Sequence, residues 1–198
     1  MKLLYSPTSP FARKVRAVIL ALELQPQVTL VEASLVEPSA EFLGANPLGR
    51  IPTLIADDGT ALFDSAVICE YLVAIAESLP LLPHAGAARW ACRRTEALAD
   101  GVMDSTVARI HMLRSGLLTD NTVVKRHEAA ITRTLDVLDR DLPESRLDLG
   151  TIAVCCALGF LDLRFNELDW RHGRTRLAAW FAHMADTHPC IGDTAPPT

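Results

Sequence analysis

Three short segments of this chain combine residue types that could hold or activate a small polar ligand. The first is Ser6-Pro7-Thr8-Ser9-Pro10-Phe11. Ser9 followed by Pro10 fits an N-cap serine with proline at the first helical position, so helix capping alone accounts for the pair. A serine hydroxyl has one donor and two acceptor lone pairs, however. Ser9 can therefore accept from a helix amide and still donate its proton to an anion such as a thiolate, with Thr8 and Ser6 as neighbouring competitors. The thiolate, not the thiol, is the nucleophile, and an unperturbed thiol of the cysteine type has a pKa near ~8.5. One charge-assisted hydrogen bond contributes about 1.5–3 kcal/mol and the positive end of a helix a few tenths to one more. At about 1.4 kcal/mol per unit, that lowers a thiol pKa by roughly one to two units.

The second segment, Phe63-Asp64-Ser65-Ala66-Val67, places an acid and a hydroxyl where a strand gives way to a helix. It reads as a cap, or as a receptor for an amino-acid zwitterion: Ser65 and the helix amides would hold a carboxylate, and Asp64 would pair with an ammonium. The third, Asn46-Pro47-Leu48-Gly49-Arg50-Ile51-Pro52-Thr53-Leu54, puts a turn before a strand that begins with proline. Pro52 is either an ordinary first residue of a strand or the site of a cis bond. A cis bond would leave the backbone of Ile51 facing a cleft, where a peptide ligand could pair with it like an added strand.

These segments need elements to hold them. Residues 2–6 read as a strand. From Pro10 the apolar residues Phe11, Val15, Val18, Ile19 and Leu22 follow one helix face, and residues 27–33 read as a second strand, parallel to the first because a crossover helix intervenes. Residues 53–56 and 61–63 form a hairpin about Asp57-Asp58-Gly59, and residues 65–75 close the unit as a helix, with the stretch before the hairpin read as a loop. Residues 78–86, with Pro80, Pro83 and Gly86, carry no periodic face and read as a linker. Beyond it, residues 87–115, 122–142, 149–165 and 175–187 all have helical periodicity. Asp148 is placed to cap the third of these helices, whose residues 152–158 are apolar on every side. Such a helix belongs at the centre of a domain.

Composition narrows the class. The apolar fraction of 49% and charged fraction of 22% are those of an ordinary globular protein. The net charge of −5, with basic residues scattered in short runs such as Arg93-Arg94, speaks against nucleic acid as a partner. No stretch has the length of a membrane span or a signal peptide. The five cysteines show neither C-x-x-C pairing nor metal-ligand spacing, so they read as reduced, buried residues with no metal site, which points to the cytoplasm.

In their order and separations, Ser-Pro-Phe, then Asn-Pro-Leu-Gly-Arg-Ile-Pro-Thr-Leu, then Phe-Asp-Ser-Ala-Val-Ile-Cys-Glu-Tyr-Leu resemble the cytosolic glutathione transferases, near a bacterial subgroup with the Ser-Pro-Phe motif. Further on, Glu96-Ala97-Leu98-Ala99-Asp100-Gly101 and Ile152-Ala153 through Phe165 resemble the family's helical domain, so the likeness covers nearly the whole chain. The resemblance implies an α/β thioredoxin-like N-terminal domain (residues 1–77), a linker (78–86) and an all-α C-terminal domain (87–198). It also implies glutathione as co-substrate and a homodimer. By motif, Ser9 matches the catalytic hydroxyl, Ile51 and Pro52 the cysteinyl-binding turn, and Asp64 with Ser65 the γ-glutamyl site, with Phe11 and Arg50 as further glutathione contacts.

Departures from the family pattern are informative. Glu37 and Pro38 stand where many relatives have a basic residue for the glycine carboxylate, leaving Arg50 as its substitute. The central helix opens with Asp148 and Thr151 in inverted order, which keeps a cap and puts the reciprocal capping box in question. Neither Cys-Pro nor Ser-Ser-Cys is present, which lowers thiol transfer and isomerisation as activities. The leading expectation is a transferase that presents glutathione thiolate to a small electrophile. The rivals are a glutathione-dependent reductase or isomerase, and a non-enzymatic stress or interaction module. Met103, Val107 and His111, four apart on one helix, read either as the wall for the second substrate or as core.

Overall fold

The computed structural model describes residues 1–76, 80–165 and 168–196. Strand β1 (Lys2–Tyr5) runs into helix α1 (Pro10–Ala21), a 3₁₀ turn at Gln25–Gln27 follows, and β2 (Thr29–Glu32) returns parallel to β1 with Lys2 opposite Thr29 and Tyr5 opposite Glu32. After helix α2 (Ala40–Ala45), strands β3 (Thr53–Ile55) and β4 (Ala61–Leu62) form a hairpin, and helix α3 (Ser65–Ile75) closes the unit. The sheet order is β2-β1-β3-β4, with β3 antiparallel to β1 and β4 antiparallel to β3. This is the thioredoxin-like arrangement expected. The hairpin closes through Gly59 at φ +85°, where a side chain is disfavoured, with the Thr60 amide donating to Asp58 Oδ1 at 2.8 Å.

Helix α2 falls in the stretch read as a loop. With six residues it is too short to show a period, and Phe42 is its one buried residue. Its start is capped by Ser39, whose hydroxyl accepts from the Phe42 amide at 3.1 Å. The period-two alternation of β1 explains what α2 does. Leu3 faces the core shared with α1 and α3, whereas Leu4 and Phe42 border the same small cavity outside that core.

The rest of the described chain is helical: α4 (Gly86–Arg114), α5 (Thr122–Arg140), α6 (Leu149–Arg164), α7 (Thr175–Thr187) and the short α8 (Pro189–Gly192), the last not foreseen. The boundary expected between residues 77 and 78 lies outside the described residues. Of the segment read as a linker, Leu81 and Leu82 are buried, the Leu81 carbonyl accepts from the Leu149 amide at 2.9 Å, and Gly86 already belongs to α4.

Helix α6 is the centre of the structure. Every residue from Leu149 to Leu161 is buried, and α1, α4, α7 and α8 pack against it. The approach of α4 requires glycine at position 150: a Cβ there would come within 2.7 Å of the Cys92 carbonyl oxygen. The capping box put in question above is formed. Asp148 accepts from the Thr151 amide at 2.9 Å, and Thr151 Oγ1 accepts from the Asp148 amide at 2.9 Å. Threonine can take the part usually played by a longer acid because its hydroxyl accepts from the cap amide while donating to a carbonyl, Arg146 or Asp148, at 3.0 Å.

One ionic cluster joins α1 to α4. Lys14, fully buried, donates to Glu96 Oε1 at 3.1 Å and to both Asp100 carboxylate oxygens at 2.8 and 2.9 Å. The second Glu96 oxygen accepts from Arg93, which also pairs with Glu70 of α3, as does Arg89. Burial disfavours the Lys14 ammonium, but its attraction to the groups around it, Cys69 of α3 and the Asp100 and Glu96 carboxylates, outweighs that cost and its pKa is raised. Removing the cation strands two carboxylates in a poorly solvated site. Lys14→Met is expected to lower the free energy of unfolding by about 3–5 kcal/mol in urea titrations at neutral pH. A loss below about 1 kcal/mol, the scale of an exposed pair, would overturn this account.

Candidate functional site

Ser9 holds the N-cap of α1 in extended geometry (φ −80°, ψ 123°), and Pro10 follows at the first helical position. Its hydroxyl accepts from the Ala12 amide at 3.2 Å. The backbone is fixed on both sides: the Ser9 amide donates to the Ser6 carbonyl at 3.1 Å, and the Ser9 carbonyl accepts from the Arg13 amide at 2.9 Å. Among the described residues the Ser9 hydroxyl has no acceptor for its own proton, which leaves one donor aimed by a rigid cap. Ser6 and Thr8 instead face each other, 3.5 Å apart. All three hydroxyls line one open cavity of about 650 Å³.

The opposite rim is the turn around Gly49, at φ +58°. Asn46, only 1% exposed, holds this turn together. Its side-chain amide donates to the Arg50 carbonyl at 2.9 Å and to Thr53 Oγ1 at 3.0 Å, while its oxygen accepts from the Leu48 amide at 3.0 Å. The Ile51–Pro52 bond is cis; Ile51 and Arg50 line the cavity, and Pro52 is buried behind them. In the sequence Asn46 reads only as part of a turn signal. Its buried side chain is the tie that presents Arg50 and Ile51.

Asp64 forms the N-cap of α3 after a cis Phe63–Asp64 bond, accepting from the Ala66 amide at 3.0 Å. Its carboxylate is exposed, and Ser65, the first helical residue, is buried. Neither lines the cavity itself, but Asp64 is within electrostatic reach of Asp104, which does. Burial raises the pKa of Asp104, Arg50 across the cavity opposes that shift, and Asp64 adds to it. Two carboxylates and one guanidinium thus mark one end of the cleft.

Helix α4 supplies the far wall. Val107 and His111 line the cavity, as does Phe11 of α1, but Met103 does not: it is fully buried in the core. Packing along α4 accounts for this correction. Direction around the helix is not the cause, since Ile110 and Arg114, each about 20° from Met103 around the axis, both line the cavity; Met103 is taken into the hydrophobic core at its own level of α4. Asp104, Ala108 and Arg114 take up the wall instead, joined by His127 of α5 and by Phe160 and Arg164 of α6. Nothing local in the sequence marks these last residues, because three helices bring them together. Behind Ser9 a second, much smaller cavity is bordered by Phe160, Cys156, Arg13 and Pro196, so Phe160 lies next to the Ser9 loop.

All five cysteines are free and buried, and none lines the larger cavity. Burial pushes Cys92 and Cys190 up to about 11, and raises Cys69, Cys155 and Cys156 as well. A nucleophilic thiol in this cleft would have to arrive with a ligand. Among the described residues no group of three or more His, Cys, Asp or Glu is arranged to hold a metal ion, and no helix is long and apolar enough to cross a membrane.

Comparison with known proteins places this geometry in a family. Residues 8–75 match the family model described as the glutathione S-transferase N-terminal domain. The chain is 33% identical over 183 residues to an uncharacterized GST-like protein, YibF, of Escherichia coli (strain K12), covering 89% of this chain and 90% of that one. A glutathione transferase family member from Pseudomonas fluorescens Pf-5, solved with bound glutathione, superposes with a TM-score of 0.91 at 36% identity over 100% of this chain and 99% of that one. With bound S-(propanoic acid)-glutathione the values are 0.89 and 34% over the whole of both chains. A glutathione S-transferase from Methylobacillus flagellatus KT with glutathione bound gives 0.91 at 40% identity over 99% of each chain.

The thiol arrangement makes its own prediction. At neutral pH the native protein should resist iodoacetamide at all five cysteines, and denaturant should expose five alkylation sites. Rapid labelling of one cysteine in the native state, read by peptide mass spectrometry, would place a reactive thiol where none is described.

Proposed function

The chain belongs to the glutathione S-transferase family, and from that premise we propose that it is an active transferase that binds glutathione in the cleft between the Ser9 loop and the Ile51 turn, and presents its thiolate to a small electrophile. In this reading Ser9 donates its free proton in a hydrogen bond to the glutathione sulfur. The backbone of Ile51, before Pro52, pairs with the cysteinyl residue. Ser65 and the first amides of α3 take the γ-glutamyl carboxylate, Asp64 takes its ammonium, and Arg50 takes the glycine carboxylate in place of the basic residue that Glu37 and Pro38 displace. An ionised carboxylate has acceptor sites to spare, so Asp64 can cap Ala66 and bind an ammonium together.

The thiol proton leaves to solvent and the sulfur pair forms a bond to an electrophilic carbon. The electrons released depart with a leaving group, or, in an addition, settle on the neighbouring carbon, which takes up a proton. Ser9 is not the base; it lowers the energy of the anion. The observation that carries this reading is the unmatched Ser9 hydroxyl proton at the head of α1, facing a cavity whose other rim is the Ile51 turn. The lack of any cysteine in the cavity lining speaks against reductase chemistry by thiol exchange. Five free buried cysteines accord with a reducing compartment, the cytoplasm.

Losing one charge-assisted hydrogen bond should raise the thiol pKa of bound glutathione by about one to two units. Ser9→Ala is therefore expected to show that rise in the thiolate absorbance and to move the pH–rate profile upward by the same amount. Asp64→Ala should weaken glutathione binding and leave the bound thiol pKa where it was, because the γ-glutamyl end is remote from sulfur. An unchanged thiol pKa in Ser9→Ala would remove Ser9 from its role and turn attention to Thr8.

We further propose a two-fold homodimer through the first half of α4. In sequence, residues 89–104 mix Trp90, Leu98 and Val102 with Arg93, Arg94, Asp100 and Asp104, more than one core-facing stripe requires, and this stretch would meet the partner's N-terminal domain. Val102 is core, Asp100 pairs with Lys14, and Arg93 and Arg89 pair with Glu70, so the large apolar group left for that contact is Trp90, 70% exposed. Light scattering at micromolar concentration should give twice the 21.6 kDa of one chain. A mass near one chain would contradict the proposal.

A further inference from the structure

We infer that the helical wall of the cavity is an oxyanion subsite, and that the electrophile this protein prefers carries a carboxylate or a similar anionic group at the end remote from its reacting carbon. The inference rests on the glutathione reading above and concerns the part of the cleft that glutathione does not fill. The wall gathers Arg114 and His111 of α4, His127 of α5 and Arg164 of α6 around one space. Such a concentration of cationic and N–H donor groups is unexpected in a chain of net charge −5, whose acidic residues outnumber its basic ones.

Among the described residues, the acids nearest this wall are engaged elsewhere. Glu128, next to His127 in sequence, accepts from Arg109 at 2.8 Å. Asp162, two residues before Arg164, accepts from Arg171 at 2.5 Å and from the Trp170 ring at 2.7 Å. Asp104 stands within reach of Arg50 at the other end. Arg164 and Arg114 have no ion pair among the described residues, and the Arg164 Nε is buried without a hydrogen-bond partner. A buried donor left unpaired in a polar site is costly, and a ligand that accepts from it recovers that cost.

Position relates the subsite to the sulfur. Phe160 borders the Ser9 loop, and the Arg164 guanidinium, one helical turn on, lies 5.9 Å from the centre of the Phe160 ring. A ligand flat against Phe160, with its reacting carbon at the Ser9 end, would bring its far end to Arg164. The planar fork of arginine matches a carboxylate or phosphonate in two parallel hydrogen bonds, and cationic walls in a low-dielectric cleft concentrate anions.

The test compares matched glutathione conjugates by isothermal titration calorimetry: S-(para-carboxybenzyl)-, S-(para-phosphonobenzyl)- and S-(para-carbamoylbenzyl)glutathione, with glutathione itself. One anionic conjugate should bind at least about tenfold tighter than the neutral carbamoyl one, the scale of a single charge-assisted hydrogen bond, and which anion it is identifies the oxyanion. In Arg164→Gln the ratio should fall toward one, with the affinities for glutathione and the carbamoyl conjugate unchanged. Arg114→Gln should reduce the ratio in part, and supplies the comparison if Arg164→Gln does not fold. Equal binding of charged and neutral conjugates by the unaltered protein overturns the inference. So does an equal loss of all ligands, glutathione included, in Arg164→Gln, since Arg164 would then belong to the glutathione site. If neither glutathione nor any conjugate binds the unaltered protein, the glutathione reading fails first.

Discussion

A helix that is apolar on every side must be covered on every side, and α6 imposes that requirement on the whole molecule. Thirteen consecutive residues of it, Leu149 through Leu161, are hidden from solvent. Two of the elements that cover it also line the candidate site. Helix α1 lies on one flank and carries Ser9 at its head, while α4 lies on another and carries the residues facing Ser9 across the cleft. The distance between the walls of the cavity is thus set by how α1 and α4 pack on α6. Where the α4 backbone comes closest the sequence supplies glycine, Gly150 beneath the Cys92 carbonyl, and Gly159 leaves room for the Arg13 guanidinium to lie against α6.

Hydrophobic cover alone is not directional, and a smooth apolar helix could accept α1 and α4 in several registers. The polar groups buried beside it remove that freedom. Lys14 reaches Glu96 and Asp100 only in one alignment of α1 on α4, and Arg13 spans from α1 to the Ile191 carbonyl of α8 at 2.9 Å. Such pairs contribute little net stability against a well-packed apolar alternative, yet a misaligned one leaves charges stranded. Their effect falls on geometry: they hold the N-terminus of α1, and with it the Ser9 hydroxyl, at a fixed height over the helical wall.

What could be read from the sequence followed from how local each feature is. The β-α-β crossover, the hairpin about Asp57-Asp58-Gly59 and the Ser9 cap are written within a few residues, and each lies within a residue or two of its expected place. So does the all-apolar helix, because burial on every side is a property of its own composition. Helix α2 escaped because one buried residue, Phe42, cannot announce a period. Met103 differs for the opposite reason: the regular spacing is present, but spacing gives direction around the axis and not what packs at each level, and at its level of α4 Met103 is taken into the core. Phe160 and Arg164 had no local signal at all, since their meaning depends on how α6 crosses the Ser9 loop.

That contrast divides the cleft by origin. The half proposed to meet glutathione is built from backbone groups at a helix start, a turn and a second helix start, each set by two or three adjacent residues such as Ser9-Pro10 or Asn46-Pro47. Main-chain donors and caps tolerate little change, because altering them alters the fold around them. The other half is built from side chains on the faces of three helices: Val107, His111 and Arg114 on α4, His127 on α5, Phe160 and Arg164 on α6. Substituting these need not disturb any backbone hydrogen bond, so their chemistry can change while the scaffold stays. A backbone frame fixed by the fold can then be combined with a wall whose chemistry is set by side chains alone. In this chain that wall combines Phe160 beside Ser9 with guanidinium and imidazole groups beyond it, an apolar surface that ends in positive charge.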